Sequence, residues 1–505
     1  MDSNYLDRIR TARVYDVALK TPLEHAINLS RRIGNTVLLK REDLQPVFSF
    51  KIRGAYNKLV QMPADELQRG VICSSVGNHA QGVALAAREL GNRAIIVMPV
   101  TTQSIKVDAV KALGGEIILH GVTYDDAYHK AIEIAKTQNL TFIHPFDDPD
   151  VIIGQGTIGM EIFAQHDEPI DAIFVPVGGG GLISGIALYA KAMFPDTRII
   201  GVEPEDTASM HAALEAGQPV TLKHVGIFAD GVGVQRVGEE TFRICRKHVD
   251  EIILVNTDEI CAAIQDIFED SRAVVEPAGG LAVAGLKRYV SKNNLRNGTF
   301  VAVNSGANFN FNRLRHIAER AAIGEQREAL IAVEIPERQG SFLAFCEAIG
   351  QHNITEFNYR LSDPDNARIF VGVELSDGEA ERRSLIRSLE KARYTVIDMS
   401  DDEMAKVHIR HMVGGLAPDL RDERLCRFEF PERPGALLKF LQAIGSRWNI
   451  SLFHYRNHGS DYGRVLAGIQ VPDADREDFA QHLDELGYPH WDESANPAYR
   501  MFLAN

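Results

Sequence analysis

Cysteine is scarce and scattered. Cys73, Cys245, Cys261, Cys346 and Cys426 are the only five in 505 residues, and no CxxC or Cys/His spacing links any of them. That pattern excludes a disulfide frame and a zinc site, so no metal is expected, and it fits the reduced thiols of a cytosolic protein. Long apolar runs are missing as well: none approaches the roughly 20 residues of a membrane-spanning helix. The first residues, Met1-Asp2-Ser3-Asn4-Tyr5-Leu6-Asp7-Arg8, lack the basic-then-apolar pattern of a secretory signal, and a cytoplasmic location is expected. No Lys/Arg-rich run offsets the formal net charge of −15. Nucleic acid and anionic membrane are therefore excluded as main partners.

What is present is ample. The length corresponds to about three domains, and 45% hydrophobic with 24% charged residues supplies a large core. From about residue 70, short β-rich runs alternate with helical patterns. Val71-Ile72-Cys73 precedes an alanine-rich helix, Ala94-Ile95-Ile96-Val97-Met98 a helix over 105–113, and Glu116-Ile117-Ile118-Leu119 a helix over 124–136. Ala172-Ile173-Phe174-Val175 leads to a helix over 183–193, and Arg198-Ile199-Ile200-Gly201-Val202 follows. This is the βαβ pattern of a parallel sheet covered by helices, in which ligands bind beyond the carboxyl ends of the strands.

Ser49-Phe50-Lys51-Ile52-Arg53-Gly54-Ala55 follows Val37-Leu38-Leu39-Lys40-Arg41-Glu42-Asp43, which reads as a short strand ending in a polar loop. Lys51 then stands where a loop turns into a helix opened by Gly54-Ala55-Tyr56, its stem against Phe50. Desolvation there lowers the pKa of an amine toward that of a nucleophile able to form a Schiff base. Most lysines at such junctions are solvated surface charges, so the partners decide.

Three loops supply them. Ser74-Ser75-Val76-Gly77-Asn78-His79-Ala80-Gln81-Gly82 lies between a strand and a helix, offering hydroxyl and amide donors to an anionic or phenolic oxygen. A structural role accounts for His79 more simply than general-base catalysis. Gly178, Gly179, Gly180, Gly181 and Leu182 open a helix directly after a strand, so that consecutive backbone N–H groups converge on an anion such as phosphate. Gly-x-Gly-x-x-Gly is not satisfied, because Ile183 and Ser184 occupy the closing positions. Glu203, about twenty residues on, nevertheless mimics the ribose-binding acid of a dinucleotide site. A nicotinamide dehydrogenase stays open on this stretch alone. The third loop, Asn304-Ser305-Gly306-Ala307-Asn308, presents in Ser305 a neutral hydroxyl for a ring nitrogen. Glu276-Pro277-Ala278-Gly279-Gly280 adds a carboxylate ahead of an alanine-rich helix.

A lysine nucleophile, an amide-bearing loop, a phosphate cradle and a hydroxyl for a ring nitrogen together describe pyridoxal 5′-phosphate. With Ser49-Phe50-Lys51-Ile52-Arg53-Gly54-Ala55-Tyr56, Gly77-Asn78-His79-Ala80-Gln81-Gly82, the 178–182 run and Ser305-Gly306-Ala307-Asn308 in this order, the chain resembles the tryptophan-synthase-β-like, fold type II pyridoxal-phosphate enzymes. Within them it resembles the biosynthetic threonine deaminase family over nearly its whole length. The resemblance implies an α/β catalytic domain over 1–320 with twisted parallel sheets flanked by helices. It implies that Lys51 holds the cofactor as a Schiff base and that Asn78 meets the phenolic oxygen. Phe50 lines the cofactor, Gly178, Gly179, Gly180, Gly181 and Leu182 hold the phosphate, and Ser305 meets the pyridine nitrogen. Ser74, Ser75, Gly77 and His79 are expected toward the substrate. Ser75-Val76 departs from the family, whose members have a smaller residue before the glycine.

Past residue 313 the alternation stops, and residues 313–329 look like a connecting helix. An internal repeat follows. Glu334-Ile335-Pro336-Glu337-Arg338-Gln339-Gly340-Ser341-Phe342-Leu343 recurs 95 residues later as Glu429-Phe430-Pro431-Glu432-Arg433-Pro434-Gly435-Ala436-Leu437-Leu438. Asn353-Ile354-Thr355-Glu356-Phe357-Asn358-Tyr359-Arg360 recurs as Asn449-Ile450-Ser451-Leu452-Phe453-His454-Tyr455-Arg456. The two copies, 329–401 and 423–495, resemble ACT-type regulatory modules, ferredoxin-like α+β folds that bind amino acids at module interfaces. Tyr359, Arg360, Tyr455 and Arg456 are the candidate effector contacts. A duplicated oligomerisation domain would look the same.

The family implies dehydrative deamination of L-threonine to 2-oxobutanoate and ammonia at the start of isoleucine biosynthesis, with L-serine as a further substrate for the same type of reaction. It also implies a homotetramer inhibited by isoleucine, with valine competing for the effector pocket. A serine dehydratase, a sulfhydrylase and a non-catalytic amino-acid sensor are the alternatives. The 77–79 loop and the C-terminal repeat count against the first two. The register of Lys51, Asn78 and Ser305 counts against the third.

Overall fold

A computed structural model of the chain describes residues 2–336, 341–350, 352, 354–360, 366–411, 421–431, 448–456 and 462–503. It divides into two units, 1–310 and 311–505. In the first unit the strands are β1 (Leu23–His25), β2 (Thr36–Arg41), β3 (Val71–Ser74), β4 (Ala94–Met98) and β5 (Glu116–Leu119). They continue with β6 (Thr141–Phe142), β7 (Ala172–Pro176), β8 (Arg198–Pro204), β9 (Glu251–Val255) and β10 (Thr299–Asn304). They form two sheets, one in the order β1-β2-β10-β7-β8-β9 and one in the order β5-β4-β3-β6. Every pairing is parallel except β1 with β2.

Both faces of the smaller sheet are covered, which is why its strands read as continuous apolar runs. Cys73, Ile96 and Met98 pack with Ile52, Ala55 and Leu59 of the helix Lys51–Gln61 and with Val83 of the helix Asn78–Glu89. The alternate residues Ile72, Ile95 and Val97 pack with Ala127 and Ala131 of the helix Tyr124–Gln138. In the larger sheet, Ile173, Val175, Val301 and Val303 meet Ile158 and Ile162 of the helix Pro149–Ala164 and Ile183 and Ile186 of the helix Gly181–Met193. Each such side chain contributes about 1.5–3 kcal/mol of transfer free energy. Helix Lys51–Gln61 packs on helix Pro149–Ala164 almost backbone to backbone. A Cβ at Gly154 would stand 2.6 Å from the Arg53 carbonyl and 2.7 Å from Gly54 Cα.

The second unit is a duplicated module. The first copy has β11 (Glu328–Pro336), the helix Ser341–Ile349, β12 (Ile354–Arg360), β13 (Asn366–Glu374), the helix Gly378–Lys391 and β14 (Thr395–Asp398). Its strands run antiparallel in the order β12-β13-β11-β14, as a ferredoxin-like fold requires. The second copy repeats that order with β15 (Glu423–Pro431), β16 (Asn449–Arg456), β17 (Tyr462–Gln470) and β18 (His490–Asp492). The stretches expected as the glycine turn of copy one (337–340) and the turn and first helix of copy two (432–447) lie outside the described residues. β12 and β16 slip register at the same point, between Ile354 and Glu356 and between Ile450 and Leu452. One face of the first sheet lies under the helices Ser341–Ile349 and Gly378–Lys391, and among the described residues one face of the second lies under the helix Arg476–Leu486. The opposite faces, with Leu330, Ala332 and Phe370 of one and Leu425 and Leu466 of the other, share one apolar cluster.

Candidate active site

Lys51 is the first residue of its helix, three residues earlier than Gly54 suggested. The loop ahead of it is held against the loop that follows β10. Phe50 N–H donates to the Ser305 carbonyl at 3.1 Å, Ser49 pairs antiparallel with Gly306, and Ala307 N–H donates to the Phe48 carbonyl at 2.8 Å. These bonds hold Phe48 in the left-handed region at φ 53°, a costly conformation for an aromatic residue. They also fix Lys51 and Ser305 relative to each other. A Cβ at Gly82 would come within 3.2 Å of the Lys51 carbonyl, so glycine there lets helix Asn78–Glu89 close over the lysine from the other side.

Lys51 Nζ donates to the Pro145 carbonyl at 3.0 Å and lies 5.2 Å from the centre of the Phe50 ring. Burial pulls its pKa down to about 8, against the opposing attraction of the Glu276 carboxylate. His79 and His144 also face it. Burial, and then the Lys51 charge, push His79 down to about 3. Burial lowers His144 as well. His79 spends its Nε2–H on the Ile143 carbonyl at 2.9 Å, tying its helix to the segment that receives Lys51.

The 178–182 run joins β7 to the helix Gly181–Met193, which opens two residues before Ile183. Gly180 is the N-cap at φ +92°, and no side chain caps the helix start. Its first N–H groups therefore lack a side-chain acceptor. Leu182 buries its side chain in the core and contributes to the loop through its backbone. The glycines are required by what surrounds them. A Cβ at Gly179 would stand 2.2 Å from the Phe146 ring, and one at Gly180 2.7 Å from Met210 Cε. Thr241 Oγ1–H fixes the loop by donating to the Gly179 carbonyl at 2.7 Å.

At the end of β3, Ser74 Oγ is buried without a hydrogen-bond partner, and Ser75 Oγ accepts from Gly77 N–H at 3.3 Å. Open space lies where a Gly77 Cβ would be, at the uncapped start of helix Asn78–Glu89. Asn78 Nδ2 donates to Glu276 Oε1 at 2.6 Å, and its Oδ1 accepts from Asn308 Nδ2 at 2.8 Å. Ser305 Oγ makes only a long bond, 3.3 Å, to the Ala278 carbonyl. Lys51, Phe50, Ser74, Ser75, Gly77, Asn78, the four glycines and Ser305 all lie on the carboxyl-end loops of the strands or on the Lys51 loop. Tyr359, Arg360, Tyr455 and Arg456 belong to the other unit, in β12 and β16. There Tyr359 pairs with Ile369 and Tyr455 with Val465.

Two expectations change. Glu203 is buried and accepts from Met210 and His211 N–H, both at 2.8 Å, so it caps the helix Ser209–Ala216 and is not turned to a ribose. Burial raises its pKa to about 7. Lys40, Arg41, Glu42 and Asp43 are at most 3% exposed, not a polar loop. They survive burial because their charges are paired. Arg53 donates to Glu42 at 2.7 Å and to Glu161 at 2.6 Å, and Lys40 reaches Glu161 at 2.6 Å. Nothing local in the sequence marked this cluster, nor the Pro145 and Phe146 contacts, since their partners are remote along the chain. Among the described residues no group of His, Cys, Asp and Glu could hold a metal, and no helix is long and apolar enough to cross a membrane.

Residues 14–306 match the family model of pyridoxal-phosphate dependent enzymes. Residues 319–409 and 415–503 each match the C-terminal regulatory domain of threonine dehydratase. The chain is 56% identical to the L-threonine dehydratase biosynthetic IlvA of Burkholderia multivorans, covering 99% of each. It is 54% identical to the protein of that name from Pasteurella multocida, over 99% of this chain and 98% of the relative. Among solved structures, the processed form of threonine deaminase isoform 2 from Solanum lycopersicum superposes with a TM-score of 0.63 at 49% identity. That match covers 64% of this chain and 88% of the other.

Proposed function

The chain belongs to the pyridoxal-phosphate dependent enzymes and, along its full length, to the biosynthetic threonine dehydratases; from this we propose that it converts L-threonine to 2-oxobutanoate and ammonia. The residues fit the cofactor. Lys51 Nζ has only a carbonyl as its hydrogen-bond partner, one Asn78 N–H remains to be used, and the start of helix Gly181–Met193 is uncapped. An aldehyde, a phenolic oxygen and a phosphate need those three groups.

When bound, pyridoxal phosphate supplies an electron sink for the charge left on the substrate Cα. Lys51 would hold the aldehyde carbon covalently. Once the substrate amine takes over that bond and frees Nζ, the Lys51 amine, kept partly neutral near pH 7 by burial, would accept the Cα proton. The backbone N–H groups of the 178–182 run hold the phosphate, aided by the helix dipole. Ser305 Oγ, a neutral partner, leaves the ring nitrogen without a proton, which favours loss of the β-hydroxyl over transamination. Ser74, Ser75 and the helix start at Gly77 orient the substrate carboxylate, while His79 anchors that loop through Ile143.

The observation that carries this reading is the backbone pairing of the 48–50 and 305–307 loops, which holds the lysine and the ring-nitrogen hydroxyl together. Borohydride reduction and peptide mapping should find the phosphopyridoxyl group on Lys51, and threonine should yield 2-oxobutanoate and ammonia. The group on another lysine refutes the assignment.

The second unit serves as the feedback switch. Isoleucine is the inhibitory effector, valine competes with it, and the chain works as a cytoplasmic homotetramer. The matching register of Tyr359 and Tyr455 in two equivalent sheets supports paired effector sites. Isoleucine should make threonine saturation sigmoidal, with coupling of about 1–3 kcal/mol, in the full chain but not in one ending at Gly324. Tyr359→Ala and Tyr455→Ala should weaken the response and leave uninhibited turnover within a few-fold. A full chain indifferent to isoleucine leaves the repeat as an oligomerisation domain, a role that sedimentation of the truncated chain tests directly.

A further inference from the structure

An asparagine amide has one acceptor oxygen and two N–H donors, and at Asn78 the protein engages one of each. Asn308 Nδ2 donates to Asn78 Oδ1 at 2.8 Å and also to the Val47 carbonyl at 2.6 Å. Asn78 Nδ2 donates to Glu276 Oε1 at 2.6 Å. Turning the amide over would set its oxygen against a carboxylate and its NH₂ against another NH₂. The flip state is therefore fixed by its neighbours, and one N–H is left over.

Glu276 is built into this place. It is 3% exposed and is the N-cap residue of the helix Pro277–Asn293, yet its side chain does not cap that helix. Gly279 and Gly280 N–H donate to its backbone carbonyl instead. A Cβ at Gly306 would stand 2.6 Å from Glu276 Oε1, and one at Gly231 3.4 Å away. Glycine at 306 makes room for the carboxylate, while at 231 the close neighbour is Ala278 Cβ at 2.9 Å. The titratable groups that act on or feel Lys51 are Glu276, His79 and His144. Burial keeps both imidazoles neutral near pH 7, so the Glu276 carboxylate is the one charge among them opposite the lysine.

We propose that Glu276 is a positioning residue: it locks the Asn78 amide with its remaining N–H toward the phenolic oxygen of the cofactor, and sets a negative charge opposite the Lys51 nitrogen. This rests on the cofactor site described above. Three variants of the full-length holoenzyme separate the two parts. Glu276→Gln keeps an oxygen for Asn78 and removes the charge, Glu276→Ala removes both, and Asn308→Ala removes the second tether, together with its bond to Val47, and leaves the charge. The readouts are the equilibrium dissociation constant of pyridoxal phosphate and the pH midpoint of the visible absorbance of the bound cofactor.

Glu276→Gln should bind the cofactor within about threefold of wild type, with its midpoint moved to lower pH because the protonated nitrogen loses a negative neighbour. Glu276→Ala should show the same midpoint and bind about tenfold more weakly. Asn308→Ala should bind more weakly with an unmoved midpoint. Wild-type affinity in Glu276→Ala, or an unmoved midpoint in Glu276→Gln, overturns the proposal. Should Glu276→Ala fail to fold, the near-isosteric Gln variant still decides through its midpoint. Lys51→Ala is the control for the underlying reading. Retention of the visible band in that variant refutes the Lys51 assignment, whereas its loss beside wild-type behaviour of the Glu276 variants refutes only the role of Glu276.

Discussion

Replacing Arg53 with Met tests whether the buried charge cluster holds the Lys51 helix in place. Arg53 is fully buried two residues past Lys51 and donates to Glu42, Glu161, Thr157 and the Leu19 carbonyl. With Lys40 it balances two carboxylates, Glu42 and Glu161. Methionine fills much of the same volume but leaves one negative charge unmatched. Breaking a buried pair from one side costs about 3–5 kcal/mol. Lys40 still pairs Glu161, and Thr21 and Gln45 still donate to Glu42, so a loss near 3 kcal/mol is expected at pH 8.

The pH dependence separates charge from packing. In the wild type, burial pushes the Glu42 carboxyl up, but Arg53 and the hydrogen bonds outweigh it and hold the pKa below the ordinary value. That contribution is present above the unfolded pKa of about 4.3 and is lost only as pH falls through the lower folded value. Between pH 5 and 8 it is constant. In Arg53→Met the same carboxyl is buried without its cation, and its pKa rises above 4.3. The native state then binds more protons than the unfolded one across that window, and stability falls as pH rises. The deficit should therefore be larger at pH 8 than at pH 5. Urea unfolding of the holoenzyme, followed by the visible absorbance of the cofactor at both pH values, measures it. Arg53→Met/Glu42→Gln should recover at least about 1 kcal/mol. A loss below about 1 kcal/mol at pH 8, or an equal loss at both pH values, would show that the cluster contributes nothing specific.

Gly179→Ala forces a methyl into the Phe146 ring, 2.2 Å away, and should weaken pyridoxal phosphate binding about tenfold or more in equilibrium titration; unchanged binding would mean the loop has slack. In the cofactor-free full chain, acylation of Lys51 followed by mass spectrometry should titrate near pH 8, well below the value of about 10.4 for an ordinary lysine. The reactive neutral amine is lost as pH falls through that value, so the rate should drop on acidification, and a midpoint near 10 would contradict the burial seen around Nζ. Ser305→Asp should protonate the ring nitrogen and raise the ratio of transamination to elimination, read from the products formed with threonine; an unchanged ratio would place the Ser305 hydroxyl elsewhere.

Much of the site was legible because its chemistry is local. Strand, small-residue loop and helix follow one another within about ten residues at Ser74 and Gly178, and at Ser305 a small-residue loop follows its strand directly. Each loop therefore announces its donors and its place at a strand's carboxyl end. The duplicated module was legible for the same reason, since Glu334 and Glu429 begin ten-residue runs that agree at six positions. Helix starts were less so. Gly180 in the left-handed conformation lets its helix begin at Gly181, where the glycine run had suggested Ile183.

Tertiary structure decided whatever depends on partners far along the chain. The sheet order sets β2 beside β10, and from that follow the pairing of Ser49 with Gly306 and the nearness of Lys51 to Ser305. The same arrangement brings Asn308 and Glu276 to the two ends of the Asn78 amide, 230 and 198 residues away in sequence. It turned Lys40 to Asp43 from an apparent polar loop into a buried lattice of charges, because Arg53 and Glu161 arrive from other helices. It also assigned Glu203 to a helix start and not to a ribose. Composition and periodicity report which groups a segment offers. Which of them are desolvated, and against what opposite charge, is a property of the packed chain, because the cost of burial and its compensation both arise only where distant segments meet.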